Sequence, residues 1–229
     1  MTTIPIRALV VGVLTFAAVA AGAAQQTGTS DLLTATQVRD LAAKGSTPAE
    51  HAQLRDHFTA LANQYEAEAK RHATMAKLPG NPNRRSGSDY ATHWTRLSES
   101  VGAMAKTARE LATFHGQLAT GQPATRPADP SHLEHGTGAA TVMSDAQLQQ
   151  LVTSARTPAD HGKLVEYFTS LVTKYSKDAD SHAAMAVGYR GNPRGMTSAV
   201  AHCDRLVQQG RTAATEAKAL AAEHQAMAK

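Results

Sequence analysis

Two stretches of the chain place their core-type residues at alternating steps of three and four. The first reads His51, Leu54, Phe58, Leu61, Tyr65, Glu68, His72, Met75, and the second His161, Leu164, Phe168, Leu171, Tyr175, Asp178, His182, Met185. Such spacing keeps all eight positions on one face of an α-helix, the face that packs against a partner. The stretches align without a gap at an offset of 110 residues. Each follows the same start signal, Thr47-Pro48-Ala49-Glu50 or Thr157-Pro158-Ala159-Asp160. Threonine suits the N-cap, proline the first helical position, and the acid both the capping box and the positive end of the helix dipole.

Breakers follow at Pro79-Gly80-Asn81-Pro82 and at Gly191-Asn192-Pro193. Past them a return helix is predicted from about Asp89 to Leu118 and from about Thr197 to Met227. Its inner face reads His93, Leu97, Val101, Met104, Ala108, Leu111, His115, Leu118 in one copy. In the other it reads His202, Leu206, Gly210, Ala213, Ala217, Leu220, His224, Met227, at an offset of 109. These small residues let helix axes approach closely. Short amphipathic segments, Thr34–Lys44 and Ser144–Ala155, precede each copy. Helices of about 29 residues, hence about 43 Å, joined by tight turns must run antiparallel. No stretch reads as a strand. The expected fold is all-α: two tandem antiparallel helical hairpin repeats, residues 34–119 and 144–228, packed as a four-helix bundle with short accessory helices.

Residues 1–24 have the layout of a cleaved secretory signal peptide: a positive Arg7, a short apolar run from Ala8 to Ala20, and the small-x-small site Ala21-Gly22-Ala23. A mature protein that is secreted or periplasmic is therefore expected, with no transmembrane segment after cleavage. Residues 120–143, rich in Pro, Gly and Thr, read as a flexible linker. The formal charge of +4 is scattered along the helices, and aromatics make up only 4% of the chain. Nucleic-acid binding needs a dense basic patch, so it is not expected. A single cysteine, Cys203, excludes an intramolecular disulfide framework.

Candidate chemistry centres on histidine. Eight of the eleven histidines obey the repeat: His51, His72, His93 and His115, matched by His161, His182, His202 and His224. His132 and His135 fall in the linker and read as solvated. Helix lengths place His72 opposite His93 near the turn of the hairpin and His51 opposite His115 at the far end, and likewise in the second copy. In an up-down-up-down bundle, His51, His115, His161 and His224 would gather at one end, and His72, His93, His182 and His202 at the other. The dipole explains a histidinium near a helix C-terminus, but not His51, His93, His161 or His202, which lie near N-termini.

Neutral imidazole is what a metal requires. Glu68 and Asp178 each precede a histidine by four residues and can reach it along the helix as outer-sphere partners. Met75, Met185 and Cys203 would tilt one end toward copper, whereas imidazole alone also suits zinc. Haem b held between facing helices is the other cofactor to weigh; covalent attachment is excluded because there is no Cys-x-x-Cys-His. Tyr65 and Tyr175 read as core residues whose hydroxyls partner the two acids, and Trp94 as packing at the bundle end. No nucleophile motif, phosphate loop or Glu-x-x-His set is present, so no enzymatic activity is expected. Two functions stay open. One is an exported bundle binding copper, zinc or haem through paired histidines. The other is a metal-free structural or interaction module of the bacterial cell envelope with hydrogen-bonded histidines, alone or as a homo-oligomer or with a protein partner.

Overall fold

A computed structural model describes residues 32–78, 87–121 and 143–229, with side chains described from residue 90 in the second of these stretches. The signal-peptide and linker expectations, and with them His132 and His135, lie outside the described residues, as does the Pro79-Gly80-Asn81-Pro82 breaker. Among the described residues there are six α-helices and no strand: α1 (Ala35–Lys44), α2 (Pro48–Ala76), α3 (Gly87–Ala119), α4 (Asp145–Ser154), α5 (Pro158–Gly191) and α6 (Thr197–Met227). They form a helical bundle.

The start signals work as expected. Thr47 and Thr157 each accept from the backbone N–H three residues on, and Glu50 and Asp160 reach back to the cap N–H. Backbone donors at Ser46 and Thr47 hold the Glu50 carboxyl down at about 2. Thr34 with Gln37 and Ser144 with Gln147 cap α1 and α4 in the same way. The long helices are not all of one length. α2 spans 29 residues, whereas α5 spans 34 and stops where Asn192, extended at ψ 124°, precedes Pro193. A residue before proline is pushed out of the helical region, and that ends α5.

α2 runs antiparallel to α3, and α5 to α6. α3 in turn lies against α6, where Ala105, Ala108, Ala112, Ala213 and Ala217 are buried. Gly210 marks the close approach of α6 to α5, because a Cβ there would sit 3.2 Å from the Tyr175 carbonyl. Between α2 and α5, in contrast, no Cα atoms come within 8 Å. Large side chains bridge that gap: Tyr65, Tyr175, His72 and His182. Tyr65 meets Asp178 and His182, while His72, farther along α2, meets Tyr175. α2 and α5 are therefore antiparallel across the bundle.

α1 crosses to the C-terminal end of α5. Gly188 permits the contact, since a Cβ there would lie 3.1 Å from the Arg39 carbonyl. The Asn192 amide donates to the carbonyls of Ala42 (3.1 Å) and Gly45 (3.3 Å), and the Arg194 guanidinium donates to that of Ser46. No described helix is long and apolar enough to cross a membrane.

Candidate functional site

The histidines sort by partner into three groups. The first is a pair of imidazole contacts. His51 and His115 approach Nδ1 to Nδ1 at 3.3 Å, and His161 and His224 at 3.0 Å. Ring centroids stand 5.4 and 5.2 Å apart, so the rings meet through their nitrogen edges rather than face on. A phenylalanine backs each pair: Phe58 lies 10° from parallel to His115, and Phe168 4° from parallel to His224. A tyrosine from the opposite half of the bundle completes each. Tyr189 Oη is 2.8 Å from His115 Nε2, and the Tyr90 ring stands edge-on to His224. His51 also lines an open cleft of about 460 Å³ with Ser46, Pro48, Phe114, Arg194 and Met196.

The second group forms a waist between α2 and α5. His72 Nε2 lies 2.9 Å from the Tyr175 hydroxyl, which is 3.5 Å from Glu68 Oε2. On the other side the Tyr65 hydroxyl is 3.1 Å from Asp178 Oδ2 and 3.5 Å from His182 Nε2. Lys174 joins the halves, its Nζ 3.1 Å from each carboxylate and about 5 Å from both tyrosine centroids. His72 Nδ1, His182 Nδ1 and Glu68 Oε1 are buried without a hydrogen-bond partner, as are both nitrogens of His57.

The third group sits at the contact of α3 with α6. His93 Nδ1 is 2.6 Å from Glu216 and its Nε2 3.7 Å from Glu223. His202 Nδ1 is 3.1 Å from Glu110, which also binds Arg205.

Burial dominates the electrostatics of the His51–His115 pair and of the waist histidines. It lowers His115 and His72 to about 3, and His57 and His182 to about 4. His51 is lowered by burial and then by the nearby Arg194 charge. The dipole at a helix C-terminus contributes about 0.3–1 kcal/mol toward a histidinium. One pKa unit is about 1.4 kcal/mol. Shifts of more than two units therefore show desolvation overriding the dipole at His72 and His115, so the dipole does not account for these residues.

Several expectations are corrected. Only two of the four anticipated histidine pairs form: His72 turns to Tyr175 rather than His93, and His182 to Tyr65 rather than His202. Nor do the two pairs share an end. His51–His115 lies beside Tyr189 near the C-terminus of α5, and His161–His224 beside Tyr90 near the N-terminus of α3, because α2 and α5 run in opposite directions. The same antiparallel arrangement puts Met75 and Met185 in opposite halves, each buried in the core. Cys203 is buried too, and desolvation pushes its thiol up to about 12. The copper-like cluster of Met75, Met185 and Cys203 is not assembled.

Glu68 and Asp178 do not bond the histidine on their own helix; a tyrosine hydroxyl from across the gap stands between acid and imidazole. Trp94 is wholly buried inside the bundle, between His72 and Phe168, rather than at its end. Among the described residues no three His, Cys, Asp or Glu side chains are grouped to hold a metal ion.

Four contributors went unread in the sequence: His57, Lys174, Tyr189 and Tyr90. Tyr189 was within reach, because the three–four stepping of α5 continues from Met185 to it, inside the helix that the Gly191-Asn192-Pro193 breaker ends. Lys174 carries an i,i+4 signal toward Asp178. Tyr90 stands three residues before His93 and continues the stepping of α3, whereas His57 carries no such signal. No known protein family, curated protein or solved structure matches this chain.

Proposed function

We propose that the chain is an exported, non-catalytic protein made of two tandem helical hairpins that binds a transition metal through His51–His115 and His161–His224. The observation that carries this reading is the recurrence, at sequence-equivalent positions, of two imidazoles whose Nδ1 atoms face each other at 3.3 and 3.0 Å. Two imidazoles this close share one N–H···N hydrogen bond, and rings drawn slightly apart would turn both Nδ1 lone pairs toward a metal ion. The anchoring of His115 Nε2 by the Tyr189 hydroxyl adds support. An outer partner of this kind fixes the tautomer that frees Nδ1 for a metal. The pairs are closed against each other with phenylalanines packed on them, so a metal ion fits better than a haem macrocycle. Export rests on the layout of residues 1–24, and storage or buffering of metal in the cell envelope is the corresponding role. The absence of a nucleophile motif and the inert, buried Cys203 support a non-catalytic protein.

A second reading has its own observation. His72 and His182 already bond tyrosine hydroxyls in a network with Glu68, Asp178 and Lys174. Imidazoles of that kind hold a fold together without any ligand, as expected of a structural or interaction module. Elemental analysis and an absorption spectrum of the mature protein separate the two. Metal at reproducible stoichiometry, lost in His115→Gln with His224→Gln, supports binding. A protein that stays metal-free after incubation with copper and zinc supports the module.

A further inference from the structure

We infer that the open cleft where α6 begins binds a small carboxylate with an apolar body, an aromatic or short aliphatic acid. The inference does not rest on metal binding, because it uses the cleft side of His51 and not its contact with His115. The cleft's volume of about 460 Å³ lies within the range of about 300–1,000 Å³ usual for small-molecule sites. Pro48, Phe114, Leu118 and Met196 give it apolar walls, and Arg194 carries the only full charge among its lining residues.

That charge is unspent. One arm of the Arg194 guanidinium donates to the Ser46 carbonyl, which anchors the side chain at the cleft. Among the described residues no carboxylate pairs with Arg194, so the rest of its planar fork is open to a carboxylate. The start of α6 acts in the same sense. Met196 stands at its N-cap, on the cleft, and no side chain caps the helix. The first backbone N–H groups and the positive end of the dipole are therefore left without a protein acceptor.

His51 adds a directed donor. It is 4% exposed, its Nδ1 faces His115, and no other residue among those described bonds it. Its Nε2 is what the ring offers to the cleft. In the metal-free protein the hydrogens can be placed without charging a ring. The Tyr189 hydroxyl donates to His115 Nε2, His115 donates from Nδ1 to His51 Nδ1, and His51 keeps its own hydrogen on Nε2. Every donor in this chain then has an acceptor except the last, which calls for one in the cleft. Burial and the Arg194 charge hold His51 below the ordinary imidazole range, against the pull of Glu50, so this donor is a neutral one. A carboxylate bridging Arg194 and His51 satisfies both, while its apolar body covers Phe114 and Leu118.

The test uses the purified protein, freed of metal with a chelator, and benzoate as the probe. Benzamide serves as the neutral isostere and inorganic phosphate as the anion without an apolar body. Nitrogen-15 and proton spectra follow each titration. Expected is one saturable site for benzoate, with shifts at His51 Nε2 and at the Arg194 side chain. Benzamide and phosphate should bind at least about 10-fold more weakly, and Arg194→Gln should weaken benzoate by about 10-fold or more, the usual worth of a charge-assisted contact. Arg194 is exposed, and circular dichroism checks that the variant folds. Benzoate bound no better than benzamide, or as well by Arg194→Gln, overturns the inference. So does phosphate held as tightly as benzoate, or saturation without a shift at His51. Metal uptake is measured separately, so these failures leave that reading untouched.

Discussion

At the ends of the bundle, histidine meets histidine; at its waist, histidine meets tyrosine. Both sets are buried, and burial holds His115 at one end and His72 and His182 at the waist far below the ordinary imidazole range. What differs is the partner. At the ends two like nitrogens face each other and share one hydrogen, whereas at the waist only Nε2 of His72 and His182 is engaged and Nδ1 has no partner. At the waist each Nε2 already has a hydroxyl, the hydroxyls have carboxylates, and Lys174 ties the carboxylates together. Residue type and burial alone therefore do not make a site. The partner across the interface decides whether an imidazole is available or committed.

The largest expected effect is the response to acid, to which His115 at one end contributes together with the waist. His57, His72 and His182 have folded values of about 4, 3 and 4 against 6.5 when unperturbed. Below 6.5 the unfolded chain takes up protons that the fold refuses. Stability contributed by the neutral form is thus complete above about 6.5 and lost as pH falls toward 4. Each such histidine adds about 1.4 kcal/mol per pH unit to the slope in that window. Denaturant melts between pH 7 and 4 should show this steep loss, and His72→Leu with His182→Leu should reduce the slope, leaving the part that His57 and His115 contribute. An unchanged slope in the double variant would mean that the waist histidines already carry charge when folded.

Lys174→Met comes next. It leaves Glu68, whose side chain is only 5% exposed, and Asp178 facing each other without their shared cation. Breaking a fully buried pair costs about 3–5 kcal/mol; because the lysine retains 28% exposure, a loss of about 2 kcal/mol is expected at pH 7. The same melts read the loss, and no loss would mean that the lysine does not hold the two carboxylates together.

Smaller again, Tyr175→Phe should cost about 1 kcal/mol, the low end of the usual penalty for leaving a buried imidazole nitrogen unsatisfied. Tyr65→Phe should cost less, because its hydroxyl is 3.5 Å from His182 against 2.9 Å for the matching contact. Equal costs would argue that the two sides of the waist are energetically the same. The smallest effect belongs to the ends. His51→Gln keeps a polar partner for His115 and should change stability by about 1 kcal/mol or less while abolishing metal uptake there.

The helices were legible because their causes are local. Caps, the proline at the first position and the three–four stepping lie within a few residues of each other and survive in the observed elements. The His51–His115 and His161–His224 pairs were legible for a related reason, since two helices joined by a short turn fix which residues face each other. The rest depended on how the two pairs of helices meet. Nothing local says that α2 and α5 pass at a distance, leaving room for tyrosines to reach across and capture His72 and His182. Nor does it say that their opposite directions separate Met75 from Met185. Tyr189 was missed because the seam was read no farther than Met185, although the breaker at Gly191-Asn192-Pro193 leaves it inside α5, and Lys174 because its second partner, Glu68, lies 106 residues away.

The central claim is that the ends are available and the waist is committed. Nitrogen-15 spectra of the imidazoles, recorded on the purified protein before and after addition of copper or zinc, test it most directly. The account predicts shifted Nδ1 resonances for His51, His115, His161 and His224, with those of His72 and His182 left where they were. Shifts at His72 or His182, or no shift at the four end histidines, would contradict it.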